Sequence, residues 1–243
     1  MKSNLLNNHV PFFQNYLNQL KLSIELHQPL SSPTPTKTLE LYQFWKENWI
    51  ETFHKDLLVD IAVYSDDFIK QDKILSLSLG QIYQACVFFR TISAENIIHF
   101  EESYFKAWDE ESIKCIKNKK SPLLICSQLT LAPELRGHTP VKNFKWKDFM
   151  SACSIKYFIE TGSPYMIATV RNNKGMNDAS IRLGAKVLKK SSQLYNVEVD
   201  LLIFDRDDIY LNYKNHPYAS IIDEMWEHDI NHSNIIKFEK KSA

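Results

Sequence analysis

The sequence predicts an α+β domain, an α/β/α sandwich in which a mixed sheet carries helices on both faces, with an N-terminal helical arm. Two observations carry this prediction. Leu75, Leu77 and Leu79 alternate with Ser76 and Ser78, the period of a strand with one buried face; Gly80 then supplies a turn into the apolar run Ile82–Phe89, so Lys73–Arg90 reads as a β-hairpin. From Ser121 to Phe204, apolar strand-like runs alternate with amphipathic helical stretches, an order that places helices on the faces of a sheet.

The elements follow in order. Phe13, Leu17, Leu20 and Ile24 fall on one face of a helix over Asn4–His27. That face needs a partner, in this chain or in a second copy, so the arm offers a route to an oligomer. The Pro/Ser/Thr run Gln28–Lys37 cannot continue a helix and serves as a connector. Thr38–His54 is a second helix, with Leu41, Phe44, Trp45, Trp49 and Phe53 as an aromatic stripe suited to core packing. Asp56–Lys70 fits either helix or strand. After the hairpin, Thr91–Lys120 reads as a polar helical insert, with Ser93, Glu95 and Asp109 as capping or first-turn residues. Pro122–Leu131 is a strand, a helix follows from near Lys147, Pro164–Val170 is a second strand, and a helix closed by Gly184 precedes the strand Val197–Phe204. A helix over residues 219–229 and a strand over residues 234–241 end the chain. The division is therefore an arm and connector at 1–37 and one domain at 38–243, with the insert at 91–120.

Composition excludes several classes. Lys+Arg and Asp+Glu are 29 each, without the basic excess of a dedicated nucleic-acid binder. No apolar run approaches the ~20 residues of a membrane span, and the N-terminus lacks a secretory h-region, so a cytoplasmic protein is expected. Cys86, Cys115, Cys126 and Cys153 form no C-x-x-C pair, and Cys86 and Cys126, in apolar strand-like runs, read as small core residues in a reducing compartment. With five glycines in 243 residues, nucleotide folds built on Gly-rich loops are disfavoured. His228 and His232 have the i, i+4 spacing of two ligands on a helix, but no third ligand is evident, so no metal is expected. Asp205–Asp208 (DRDD) reads as a charged turn after a strand.

The stretches LTLAPELRGHTP (Leu129–Pro140) and ATVRNNKGMNDASIRLGAKVL (Ala168–Leu188) carry the remaining signal. Their order and punctuation, Pro133 with Arg136-Gly137 and then Asn173 with Gly184-Ala185, resemble the GCN5-related N-acetyltransferase (GNAT) family, nearest to its N-acyl amino acid synthase and acyl-homoserine lactone synthase branch. The resemblance implies a mostly antiparallel sheet. It also implies that strands Pro122–Leu131 and Pro164–Val170 lie side by side and splay at their C-terminal ends, where a pantetheine arm lies. The implied donor site comprises Leu129, Thr130, Leu131, Arg136, Gly137, His138, Thr139 and Asn173, with backbone N–H groups and Arg136 cradling phosphate. Two glycines of the family loop are replaced by Thr139 and Val141, and the family's general-acid Tyr by Ser180.

The implied chemistry is acyl transfer from a pantetheine thioester, acyl-coenzyme A or acyl-carrier protein, to a small amine or amino acid. The basic residues Arg136, His138, Lys142, Lys145 and Lys147 suit either anionic donor. No carboxylate stands on the Leu123–Pro133 strand where the family base is found, leaving Glu134 in the loop and His138 as candidates for proton transfer. The second reading is a GNAT-like scaffold without catalysis, a binding or regulatory module such as a bacterial effector.

Overall fold

A computed structural model of the chain describes residues 20–31, 34–119, 121–137 and 144–231. Seven strands form one sheet in the order β1-β2-β3-β4-β5-β7-β6: β1 Leu22–His27, β2 Lys73–Leu79, β3 Ile82–Ile92, β4 Leu123–Leu131, β5 Tyr165–Arg171, β6 Lys186–Leu194 and β7 Val197–Asp205. β4 is central. Every neighbouring pair is antiparallel except β4–β5, which is parallel. The mixed, mostly antiparallel sheet with helices on both faces is the architecture expected.

Alternation along the strands divides the core. Leu75, Leu77, Val87, Phe89, Leu124, Met166, Leu202 and Phe204 point to one face, beneath the helices α4 (Trp146–Thr161), α6 (Arg206–Lys214) and α7 (Ala219–Met225). Their sequence neighbours point to the other. There, Ile74, Cys86 and Phe88 meet Leu41 and Trp45 of helix α1 (Pro35–Glu51), beside the single-turn α2 (Asp66–Ile69). Further along, Leu123, Ile125, Ile167, Leu201 and Ile203 meet Phe100, Phe105 and Trp108 of the insert. α4 is buried on most sides and ends at Gly162, a left-handed C-terminal glycine at φ 73°.

The structure differs from the sequence reading in four places. Leu22–His27 is the sheet's edge strand β1 and no part of a helix. Leu22, Ile24 and Leu26 also fit a period of two, and pairing with β2 buries Ile24 completely; the Ile24 N–H donates to Asp229 Oδ2 at 2.9 Å. Residues 4–19 of the expected arm lie outside the described residues. The sequence predicts no element between Gly184 and Val197; β6 lies there as the outer strand of a hairpin with β7, and two register shifts along it break the alternation that would have marked it. The charged run Asp205–Asp208 opens helix α6, with Asp205 accepting from the Asp207 N–H at 3.2 Å and the acids sitting at the positive end of the helix. The insert is only partly helical: β3 runs on to Ile92, two 3₁₀ turns follow at Ile97–Glu101 and Ser103–Ala107, and α3 (Glu110–Lys117) starts from the Asp109 cap. The C-terminal helix is present as α7 and a π-helical turn, Trp226–Asn231; the strand expected at 234–241 lies outside the described residues.

Candidate functional site

The parallel pairing of β4 with β5 covers only Leu123–Cys126 against Tyr165–Ala168, although the strands run on to Leu131 and Arg171. Beyond Cys126 the two part. On its other side β4 carries a bulge: the register with β3 shifts between Cys86 and Phe88, and Gln128 takes a positive φ of 56°. Such a φ is uncommon outside glycine and marks a strand whose path is fixed by its surroundings. The gap opens into a cavity of about 820 Å³, inside the size range of small-molecule and cofactor sites.

The cavity passes through the sheet. On the helical face its wall includes Phe144, Trp146, Ser151, Ser154 and Ile155 with Met166 and Phe204. On the opposite face it is walled by Trp49 and Phe53 from α1 and the π-helical turn that continues it, by Arg90, Ser103 and Tyr104, and by Tyr195 at the β6–β7 turn. Phe53 meets Tyr195 edge-on at 5.4 Å, and Asn196 Nδ2 donates to the Leu57 carbonyl at 2.8 Å, so the turn after α1 is fastened over the mouth.

The charges on the wall are unbalanced. Lys70, Arg90, Arg136, Lys145, Lys147, Arg171 and Lys174 stand against Asp56 and Asp67 alone. Both acids are ion-paired, Asp67 with Lys70 at 2.6 Å, and Asp56 with Lys174 at 2.9 Å and Arg171 at 3.2 Å. Burial works against ionisation of Asp56, but the hydrogen bonds from Lys174 and Arg171 outweigh it and hold the carboxyl below its ordinary range. Lys147 Nζ donates to the carbonyls of Lys174 and Gly175 at 3.1 and 3.4 Å. This joins the first turn of α4 to helix α5 (Met176–Arg182) across the positive end of α4, whose N-cap residue, Lys145, supplies no side-chain acceptor.

Six of the sequence-predicted residues come together on this wall: Leu129, Thr130, Leu131, Arg136, Gly137 and Asn173. The Thr130 hydroxyl is buried, accepting from Trp49 Nε1 at 3.0 Å and donating to the Gln128 carbonyl at 2.8 Å, so it braces the bulge. Arg136 Nε donates to the Leu131 carbonyl at 2.8 Å and its terminal nitrogen to Asn48 Oδ1 at 2.7 Å, with Glu51 at 3.9 Å. The guanidinium therefore ties the loop after β4 to α1. Asn173 Oδ1 lies 3.4 Å from Arg171 Nε. Glu134 sits exposed on the one-turn helix Pro133–Leu135 and is not part of the wall. His138 and Thr139 lie outside the described residues. Ser180, at the family's Tyr position, is buried in the wall.

Sequence reasoning missed Tyr104, Thr169, Gln128 and Arg90. Tyr104 and Arg90 come from the insert and the hairpin, brought in by folding, and carried no local motif. Positive φ at Gln128 has no sequence signature. Among the described residues no cluster of three His, Cys, Asp or Glu side chains gathers as a metal site, and no helix is long and apolar enough to cross a membrane.

No family model matches the sequence. No curated protein sequence matches it either. Solved structures do match its fold. An N-acyl amino acid synthase from uncultured soil microbes, FeeM, superposes with a TM-score of 0.51 at 10% identity, over 77% of this chain and 92% of that one. The acyl-homoserine lactone synthase LasI gives 0.54 at 8% identity, over 79% and 94%. A coenzyme A-dependent acyl-homoserine lactone synthase, BjaI, solved with SAM and isopentyl-CoA, gives 0.54 at 11%, over 79% and 88%. The fold is GNAT-like. At these identities the likeness speaks for the arrangement of strands and helices, and chemistry must be argued from this chain's own residues.

Proposed function

We propose that this protein is an N-acyltransferase that takes an acyl group from a pantetheine thioester, on coenzyme A or on acyl-carrier protein, and passes it to a small amine or amino acid. The single observation that carries this reading is the parted β4–β5 pair. A strand edge freed beyond Cys126 offers backbone donors and acceptors to an amide-bearing arm, as an added strand would use them. The pantetheine arm lies along Leu129–Leu131, with Gly137 and Asn173 at its outer end. Its phosphate meets the uncapped end of α4 with Lys145, Lys147 and Lys174, where helix dipole and ammonium groups act together. Arg136 holds the loop in place and adds positive charge nearby. FeeM, an N-acyl amino acid synthase, and BjaI, a coenzyme A-dependent acyl-homoserine lactone synthase solved with SAM and isopentyl-CoA, support the reading.

The second reading, a GNAT-like binding module without catalysis, draws on the wall's carboxylates: Asp56 and Asp67 are both neutralised by cations, leaving neither as a base. One set of measurements separates the readings. Calorimetric titration with octanoyl-coenzyme A and with octanoyl-carrier protein should give saturable binding of at least one donor. Lys147→Ala should weaken it about tenfold, the equivalent of ~1.4 kcal/mol. Thiol release in the presence of the twenty amino acids should accompany binding. Binding without thiol release would favour the non-catalytic module, and no binding of either donor would overturn both.

A further inference from the structure

We propose that Tyr104, contributed by the insert, is the side-chain donor that stabilises the acyl oxyanion at the closed end of the β4–β5 gap. The inference rests on the acyltransfer reading and assigns a residue to its chemical step.

The placement comes from four observations. The β4–β5 ladder ends at Cys126 and Ala168, so Thr169 is the first β5 residue beyond the point where the strands part. The Trp108 indole N–H donates to Thr169 Oγ1 at 3.0 Å, pinning the insert to that point from the far face. Tyr104 packs on Phe105 and Trp108, at ring separations of 5.0 and 6.2 Å, and its ring forms part of the cavity wall. The Tyr104 hydroxyl is buried beside Thr169, yet the geometry between them falls short of a hydrogen bond. A phenol sealed from water and left with its proton unused costs stability, as any unsatisfied buried polar group does. That cost is recovered when a ligand presents an acceptor. Gln128 Oε1, on the bulge, is also buried without a partner, but that oxygen only accepts; Tyr104 contributes the buried O–H whose proton is left unused.

The protonation state fits the role. Burial, with a smaller contribution from Cys126, pushes the Tyr104 phenol well above its ordinary range, with the neighbouring Thr169 and Arg90 opposing it only in part. It is a neutral donor at physiological pH and a poor acid, which suits holding an oxyanion more than protonating a thiolate. In the step proposed, the amine nitrogen attacks the thioester carbonyl carbon and the carbonyl π pair moves onto oxygen. Tyr104 O–H hydrogen-bonds that oxygen without giving up its proton. The pair returns, the C–S bond breaks, and sulfur leaves with its electrons. The proton lost by nitrogen ends on sulfur, giving amide and free thiol with no further reactant.

The test is Tyr104→Phe, assayed by thiol release from octanoyl-coenzyme A and octanoyl-carrier protein with the twenty amino acids supplied together. The donor that wild type uses is carried forward. The expected result is a fall in kcat of about 10²-fold, the scale of one oxyanion donor, with KM for the donor within about twofold. Calorimetric affinity for that donor's non-reactive thioether analogue should be unchanged, and the melting temperature unchanged or raised. Wild-type kcat in Tyr104→Phe would overturn the inference while leaving the acyltransfer reading standing. A lowered melting temperature with parallel loss of analogue binding would also overturn it, because the hydroxyl would then be structural. Absence of thiol release by wild type would remove both the reading and the inference.

Discussion

Arg136→Ala tests how the cavity mouth is held. On sequence alone a loop arginine should contribute little to stability, and its removal should cost only donor affinity. The geometry leads elsewhere. The guanidinium donates to the Leu131 carbonyl at 2.8 Å and to Asn48 Oδ1 at 2.7 Å, and Asn48 is itself 9% exposed with its amide nitrogen on the Phe44 carbonyl at 2.9 Å. Hydrogen bonds from a charged donor contribute about 1.5–3 kcal/mol each when buried. The Arg136 side chain is 36% exposed, so solvent screening brings the pair of bonds to the low end, roughly 2 kcal/mol together. For a chain of this size that corresponds to a melting temperature about 4–8 °C lower. Differential scanning calorimetry reads it directly, and urea unfolding gives the free energy independently. Asn48→Ala should cost a similar amount, and the double variant should cost clearly less than the two losses summed, because both remove the same latch. An Arg136→Ala protein melting within about 1 °C of wild type, or losses that add within ~0.3 kcal/mol, would refute the latch.

Two further expectations concern residues away from the cavity mouth. Burial depresses the His216 imidazole to about 4; Asp148 opposes this and Arg182 adds to it. The folded state therefore resists a proton that the unfolded chain accepts from about pH 6.5 downward, so the His216 contribution is complete above that pH and is lost as pH falls towards 4, to the extent of about 3 kcal/mol; His216→Phe should flatten the loss of stability measured by urea titration between those pH values, and an identical slope in the variant would count against it. At Gly184, φ is +100° and an added Cβ would lie 2.5 Å from Asn212 Nδ2, whereas at Gly80, φ +60°, it would meet nothing within 4 Å; Gly184→Ala should destabilise by about 1–3 kcal/mol and by more than Gly80→Ala, and equal melting temperatures for the two variants would contradict the packing argument.

What could be read from the sequence were the elements whose signals are local. The hairpin shows its alternation in Leu75, Leu77 and Leu79, and Pro133 and Gly184 mark real ends, of β4 and α5. The strand pair that parts was legible because order and punctuation in Leu129–Ala185 follow a recognisable pattern. β1 was not: Leu20 and Ile24 are four apart while Leu22, Ile24 and Leu26 are two apart, and only pairing with β2 decides between the periods. β6 was hidden by its own register shifts. The site was legible along one contiguous lip, Leu129–Gly137, and illegible across the cavity, where Trp49, Tyr104 and Tyr195 come from segments far apart in the chain. The contact between Arg136 and Asn48 was hidden for the same reason, since the two are 88 positions apart.

The short β4–β5 ladder also has a mechanical meaning. Strands β1 to β4 and strands β5 to β7 are two half-sheets, and four residue pairs, Leu123–Cys126 with Tyr165–Ala168, are all the backbone pairing that bridges them. The molecule carries a seam down its middle, with α4 laid along one side as a splint. A guest that hydrogen-bonds both lips of the seam completes an interrupted sheet, so its binding energy and the cohesion of the two halves become a single quantity. On that geometry, loading the seam and stiffening the protein would be one event.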